Sequence, residues 1–257
     1  MEEVGIGVIL VHLAIGVVLT HPVLVVGVVL IHLVLAVVIQ EEVVVQEEVV
    51  LVEVGNLKQN ILRRDIFLQD IFVVLRESLG KVLIHQEGDT VTGGRIVEVE
   101  AYPGGEDKGS HTYLNKMTPR TEIQFGVGGH AYIYSVHTHN LLNIVVGKRG
   151  KPGAVLIRAI EPIYGIDIMR ERRKNPKSDT LLTNGPGKFT QAMNITKSLY
   201  GADLCNTNSE LFLIDDGFKI DDRDIVKKAR IGIDYAQEFK DVPWRWYIRD
   251  NMFVSRK

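Results

Sequence analysis

The sequence predicts an α+β fold: one compact mixed domain with a mainly antiparallel, curved sheet and flanking helices, preceded by a low-complexity apolar amino-terminal segment. Three observations carry this reading. From residue 81 onward, short runs with strand alternation follow one another across connections of about four to nine residues, too short for the helical crossover that parallel neighbours require. Helical periodicity is confined to a few stretches around those runs. At Gly55 the texture also changes, from Val-rich, nearly charge-free repeats to an ordinary globular mixture.

The first of these regions, residues 1–57, reads as an extension distinct from the domain at 58–257. Between Val4 and Ile39 there is no charged residue, and VILVHLAIGVVL (8–19) recurs as VVLIHLVLAVVI (28–39), with His12 above His32. Thr20, His21 and Pro22 divide the stretch into two arms of about 17 residues, near the lower limit for a helix that crosses a bilayer. A membrane hairpin, a β-prone or aggregation-prone extension and an interaction segment are all consistent with it. Flanking Lys or Arg, an aromatic belt and a signal-peptide cleavage pattern are absent, and EEVVVQEEVVLVE (41–53) is a second low-complexity repeat. His12 and His32 receive no chemical role.

In the domain, residues 67–79 (FLQDIFVVLRESL) read as an amphipathic helix closed by Gly80. Strands follow at 81–85 and 95–101 around the Glu87-Gly88-Asp89 turn. Thr118 is expected to cap a short helix running through Phe125. Strands are expected at 130–136, 141–147 and 154–160, and helices at 165–174 and 186–193.

Charge and cysteine content narrow the functional classes. The formal net charge is −2, but residues 1–57 hold seven Glu and no Asp, Lys or Arg. The remaining 200 residues carry all 30 basic residues and 25 of the 32 acidic ones, a balance of +5 that suits contact with a polyanion. Cys205 is the only cysteine, so there is no intramolecular disulfide and no CxxC or Cys/His zinc pattern, and a cytoplasmic setting is expected. NGPGK (184–188) precedes a helix and offers Lys188 a route to a phosphate, but it is not a Walker loop; GGHAY (128–132) is a turn.

The stretch RIVEVEAYPGGEDKGSHTYLNKMTPRTEIQFGVGGHAYIY (95–134) carries the chemistry. Alternation of Ile96, Glu98, Glu100 and Tyr102 against Val97, Val99 and Ala101 has the strand period, so Glu98, Glu100 and Tyr102 should share a face. A carboxylate beside an aromatic at a strand end, followed by a Gly-rich turn and a His, can activate a water next to a stacked planar ligand such as a nucleobase.

This stretch resembles the alkyladenine (3-methyladenine) DNA glycosylase family, bacterial type. The resemblance continues through YIYSVHTHNLLNIVV (132–146), AVLIRAIEP (154–162), NGPGKFTQAM (184–193), ARIGID (229–234) and PWRWYIRDNMFVSR (243–256), covering roughly residues 60 to 257. It implies the same mixed, compact fold. It implies further that Glu100 is the catalytic carboxylate, Glu98 being the decoy on the same face, and that Arg158 helps to position the attacking water and the flipped nucleotide. Tyr102, His111 and Tyr134 match the pocket that encloses the extruded base. Asn143 matches the residue at the pocket floor that rejects the 2-amino group of guanine, on the assumption of a one-residue deletion between Tyr134 and Asn143 relative to mammalian relatives. His137 falls at the position of the wedge that fills the vacated stack, and Ile248 at the position whose backbone carbonyl touches the water. The family does not, as a rule, carry a leader like residues 1–57.

The resemblance therefore implies a monofunctional DNA glycosylase, expected to act as a monomer on duplex DNA containing damaged purines, without metal or organic cofactor. Two readings from other classes stand beside it: a non-catalytic DNA-damage binding module, and a membrane-tethered scaffold acting through residues 4–39.

Overall fold

The structure, a computed structural model, describes residues 55–257; the repeats at 8–19, 28–39 and 41–53, and the membrane-hairpin reading with them, lie outside the described residues. Among the described residues, no helix is long and apolar enough to cross a membrane.

Among the described residues, eight strands form one antiparallel sheet: β1 (Val82–Glu87), β2 (Thr90–Tyr102), β3 (Ala131–Val136), β4 (His139–Val145), β5 (Ala154–Tyr164), β6 (Leu211–Ile214), β7 (Ile225–Lys228) and β8 (Arg245–Ile248). Their order is β3-β4-β5-β2-β1-β6, with β8 joining β2 to β7. Strand β2, 13 residues long, is the axis. One of its edges pairs with β5, while the other holds two partners end to end, β1 against residues 90–95 and β8 against residues 98–100. The mixed antiparallel fold agrees with the sequence. The tight β1–β2 turn at Gly88 and Asp89 also agrees, with Gly88 supplying the positive φ such a turn needs. Further along β2, a Cβ on Gly94 would lie 2.6 Å from the Glu161 carbonyl oxygen, so only glycine admits the close β2–β5 approach there.

Two register slips on the β2–β5 pair shape the site. Ile96 faces Ile160 and Glu98 faces Ala159, so Val97 is left over on β2. Val99 then faces Ile157, so Arg158 is left over on β5. Such bulges re-aim side chains. The alternation expected from sequence is corrected at the first of them: Ile96 packs in the main core with Val99 and Ala101, while Val97 packs with Ala159, Tyr247, Phe253 and Val254.

Other elements depart from expectation for local reasons. The single helix predicted at 67–79 is two, α1 (Arg64–Phe67) and α2 (Ile71–Ser78). The Asp70 side chain caps α2 by accepting from the Phe72 N–H at 2.9 Å, and the Phe67 carbonyl is taken by the Gly147 N–H at 2.8 Å instead of continuing the helix. The helix expected at 118–125 is only a 3-10 turn at Glu122–Phe125, because Thr118 and Thr121 bond each other's backbone and hydroxyls before it. Helices α3 (Ile166–Arg172), α4 (Thr180–Thr183) and α5 (Pro186–Ala192) follow β5, the first and last close to the expected spans. Phe189 and Ala192 of α5 and Val74 and Leu75 of α2 join Leu83, Val99 and Ile157 in the principal core, which buries one face of the sheet.

Candidate active site

The polar face of β2 meets a cavity of about 390 Å³. Its lining brings together six of the residues singled out from sequence: Tyr102, His111, Tyr134, Asn143 and Arg158 face it directly, and Glu100 is bonded to its wall. Five elements contribute. Tyr102 comes from β2, Tyr134 from β3, Asn143 from β4, Arg158 from the β5 bulge and His111 from the loop after β2.

Glu100 is fully buried and held by three donors. Tyr102 Oη donates to its Oε2 at 2.8 Å, the Ile231 backbone N–H donates to Oε1 at 2.8 Å, and Arg158 Nη1 lies 3.1 Å from Oε1. A carboxylate offers about four acceptor positions, so these donors fix the group and leave room for about one more, such as a water. Glu98 is equally buried, shares Arg158 with Glu100, and is otherwise held by Arg245 and Ser255. The residue expected to be the decoy lies behind the cavity lining as part of an ion-pair cluster. Burial opposes the Arg158 charge, but Glu100 and Glu98 outweigh it and hold Arg158 above its ordinary pKa.

The aromatic wall is denser than the sequence suggested. Tyr132 and Tyr134, two residues apart on one face of β3, have ring centroids 5.4 Å apart, and His111 sits edge-on to Tyr134 at 4.6 Å. His111 Nδ1 is 2.8 Å from Tyr132 Oη, which orients the imidazole. Burial, with the Arg120 charge acting the same way, pushes His111 down to about 4, so it is neutral at pH 7. Burial also raises the tyrosines: Tyr132 to about 12, and Tyr102 well above its usual value with the Glu100 carboxylate adding to the effect. The wall thus consists of neutral phenols and a neutral imidazole. Tyr132 went unassigned from sequence, although its two-residue spacing from Tyr134 was the available signal.

Asn143 is buried opposite Tyr132 in the β3–β4 register, and its Nδ2 donates to the Tyr132 carbonyl at 3.1 Å. That bond fixes the amide plane at the cavity wall. His137 stands outside the cavity, exposed, at the two-residue β3–β4 hairpin tip with φ 53°. Its neighbour Val136 does reach the lining. Lys188 is on α5 and donates to Asn184 Oδ1 at 2.6 Å, with burial lowering its pKa. Pro186, on the same helix, touches the cavity.

Ile248 is not brought to the site. It sits on β8 opposite Ile225, packed against apolar neighbours, and its carbonyl receives the Asn251 N–H at 3.4 Å. The backbone beside Glu100 belongs instead to Ile231, and Ile231, Gly232 and Ile233 line the cavity. The ARIGID motif, quoted for the resemblance but given no role, supplies this wall. Arg230 in the same motif pairs with Asp107, which anchors the loop bearing His111, and Tyr235, 64% exposed, stands at the cavity wall with its Oη 3.4 Å from the Gly109 carbonyl.

Residues 65–252 match the family described as Methylpurine-DNA glycosylase (MPG). A protein of Clostridium novyi is 43% identical over 204 residues, which is 76% of this chain and 98% of the relative. One from Desulfitobacterium hafniense is 45% identical over 205 residues, 76% of this chain and 98% of the relative. A third, from Alkaliphilus oremlandii, is 45% identical over 204 residues, covering 76% and 99%. All three are named, provisionally, as 3-methyladenine DNA glycosylases.

Proposed function

Because the chain belongs to the methylpurine-DNA glycosylase family, and is thereby a monofunctional DNA N-glycosylase acting on DNA, we propose that it extrudes alkylated or deaminated purines into the cavity lined by Tyr102, Tyr134 and His111, and that Glu100 activates the water that breaks the N-glycosidic bond. The observation that carries the reading is the three-donor seat of Glu100 against an aromatic cavity. The donors hold the carboxylate aimed, and its remaining acceptor capacity takes the water whose proton it removes as oxygen attacks C1′. The three phenols contribute electron-rich faces, which favour a purine made cationic by alkylation. A neutral His111 adds a hydrogen bond without repelling that charge.

Asn143 serves as the wall against which the exocyclic amino group of guanine would collide. His137 at the hairpin tip, beside Val136, is the group that fills the gap left in the duplex, and Lys188 approaches a backbone phosphate. No cofactor enters these steps. Incubating the protein with duplexes containing 3-methyladenine, 7-methylguanine or hypoxanthine tests the reading: release of free base is the expected result. Tight lesion binding without release would replace it with the non-catalytic damage-binding module.

A further inference from the structure

We propose that Glu98, together with the segment after β8 that binds it, is a positioning element that sets the strength of the Glu100 base by holding Arg158 between two carboxylates. The inference rests on the assignment of Glu100 as the base and extends it to residues outside the cavity.

Arg158 reaches Glu98 Oε1 through Nε at 3.2 Å and Glu100 Oε1 through Nη1 at 3.1 Å. Its guanidinium is thus shared, and neither carboxylate receives the two-bond fork that arginine ordinarily presents. Glu98 has no solvent exposure and, among its hydrogen-bond partners, only Arg158 lines the cavity, so its influence on the site runs through Arg158. Its remaining capacity is filled from far along the chain. Arg245 Nη1 donates to Oε1 at 2.9 Å, Ser255 Oγ donates to Oε1 at 3.0 Å, and the Ser255 N–H donates to Oε2 at 2.7 Å. Arg245 Nη1 in turn binds the Arg256 carbonyl at 2.8 Å, tying residues 255 and 256 to the cluster. Two arginines and two glutamates balance in charge, all four nearly or wholly buried.

The consequence for the base follows from the geometry. Beside the Glu98 carboxylate, Arg158 divides its positive charge between two partners instead of spending it all on Glu100. Without the Glu98 charge, both Arg158 and the loss of a nearby negative group favour the ionised form of Glu100, making it a weaker base. The charged and titratable groups that face Glu100 are Glu98 and Tyr102 from β2, Tyr134 from β3, Arg158 from β5 and Arg245, its register partner on β8. Of these, Glu98 and Arg245 lie outside the cavity lining, and Glu98 is the one that shares Arg158 with Glu100.

The test uses the full chain. Glu98→Gln keeps the shape and one acceptor oxygen near Arg158 while deleting the charge and turning the other oxygen into an N–H donor, and Ser255→Ala removes one neutral donor to Glu98. For Glu98→Gln, single-turnover base release is expected to slow by up to about tenfold, with the acid limb of its pH profile moving to lower pH and affinity for lesion-containing duplex unchanged. Ser255→Ala is expected to slow release by a smaller factor at unchanged affinity. Glu98→Asp, which restores charge with a shorter reach, should recover the wild-type position of the acid limb. An acid limb superimposed on wild type in Glu98→Gln, or a rate loss that tracks only the folded fraction, would overturn the proposal. Should Glu98→Gln not fold, an unchanged rate in Ser255→Ala would overturn the part assigned to the segment after β8. Glu100→Gln run alongside separates the two levels: if it remains active the assignment of the base fails, whereas an inactive Glu100→Gln with an unshifted Glu98→Gln fails only this inference.

Discussion

Arg230 meets Asp107 through two parallel hydrogen bonds, Nη1 to Oδ2 at 2.6 Å and Nη2 to Oδ1 at 2.7 Å, with both side chains out of solvent. The pair locks two walls of the cavity together. Asp107 also accepts from the Gly109 N–H and the Ser110 hydroxyl, which stiffens the loop that presents His111. Arg230 lies over the Tyr102 ring at 4.7 Å and bonds the Ala101 carbonyl, and the next residue's N–H reaches Glu100.

Asp107→Asn is therefore expected to destabilise the fold by about 3 to 5 kcal/mol, since it strands a buried guanidinium without a counter-charge. Denaturant unfolding of the variant reads this directly. A cost below about 1 kcal/mol would mean that solvent reaches Arg230 and that the two walls are not coupled.

Glu100→Gln is expected to slow base release by roughly two to four orders of magnitude at nearly unchanged affinity for DNA, because the amide keeps the shape but takes no proton. Tyr102→Phe should cost less, removing one of the three donors to Glu100 while keeping the ring. Single-turnover release on a hypoxanthine duplex, paired with a binding isotherm, separates chemistry from capture.

Selectivity is assigned to Asn143, whose amide is fixed by the Tyr132 carbonyl. Asn143→Ser should open the wall and raise release of normal guanine relative to hypoxanthine, by the ~1 to 3 kcal/mol that such steric and polar rejection is worth. Equal ratios in wild type and variant in a competition assay would remove Asn143 from the discriminating wall.

The imidazole of His111 stays neutral in the folded protein down to about pH 4, well below the ordinary histidine value of 6.5. The unfolded chain therefore binds a proton that the native state refuses between those values, so stability is full above pH 6.5 and falls as pH is lowered toward 4. In His111→Gln this contribution disappears. Melting curves from pH 7 to 4 should show a shallower loss in the variant, and parallel curves would contradict the shift.

Leu57 packs against the Val82, Ile84 and Phe212 cluster, and Lys58 Nζ lies 5.3 Å from the Phe212 ring centre. A chain running from Gly55 to Lys257 is expected to fold and release base, while trimming to Lys58 should lower its melting temperature by removing the Leu57 contact. Failure of the longer form to fold would place part of the core before residue 55.

Much of the site was legible from sequence because its residues sit in local motifs. Glu100 and Tyr102 share a strand face by alternation, and that parity survives from Glu98 onward even though the bulge at Val97 inverts it before that point. The resemblance supplied His111, Tyr134, Asn143 and Arg158, which the fold brings to one cavity. What sequence hid were pairings across long separations. Asp107 and Arg230 are 123 residues apart, and Glu100 and Ile231 are 131 apart, so no local period relates them. Ile248 lies in a quoted motif on a strand that pairs with β2 and β7, yet it is not among the residues that line the cavity. Strands β6, β7 and β8 are four residues each, too short to show a period and fixed by the neighbours they meet.

The bond from Ser255 to Glu98 also sets an order in time. The two are 157 residues apart, and translation at about 5 to 20 residues per second separates their appearance by roughly 8 to 30 seconds. During that interval Glu98 and Arg158 can already exist on paired strands while Arg245 and Ser255 are still unmade. A nascent chain can thus form much of its sheet and its aromatic wall, yet it lacks the charge balance behind Glu100 until Arg245 is made, and the last donors to Glu98 until Ser255 follows. Completion of the cluster is late in synthesis, and a message cut short before the Ser255 codon would give a protein that keeps the four charges but lacks the Ser255 bonds to Glu98.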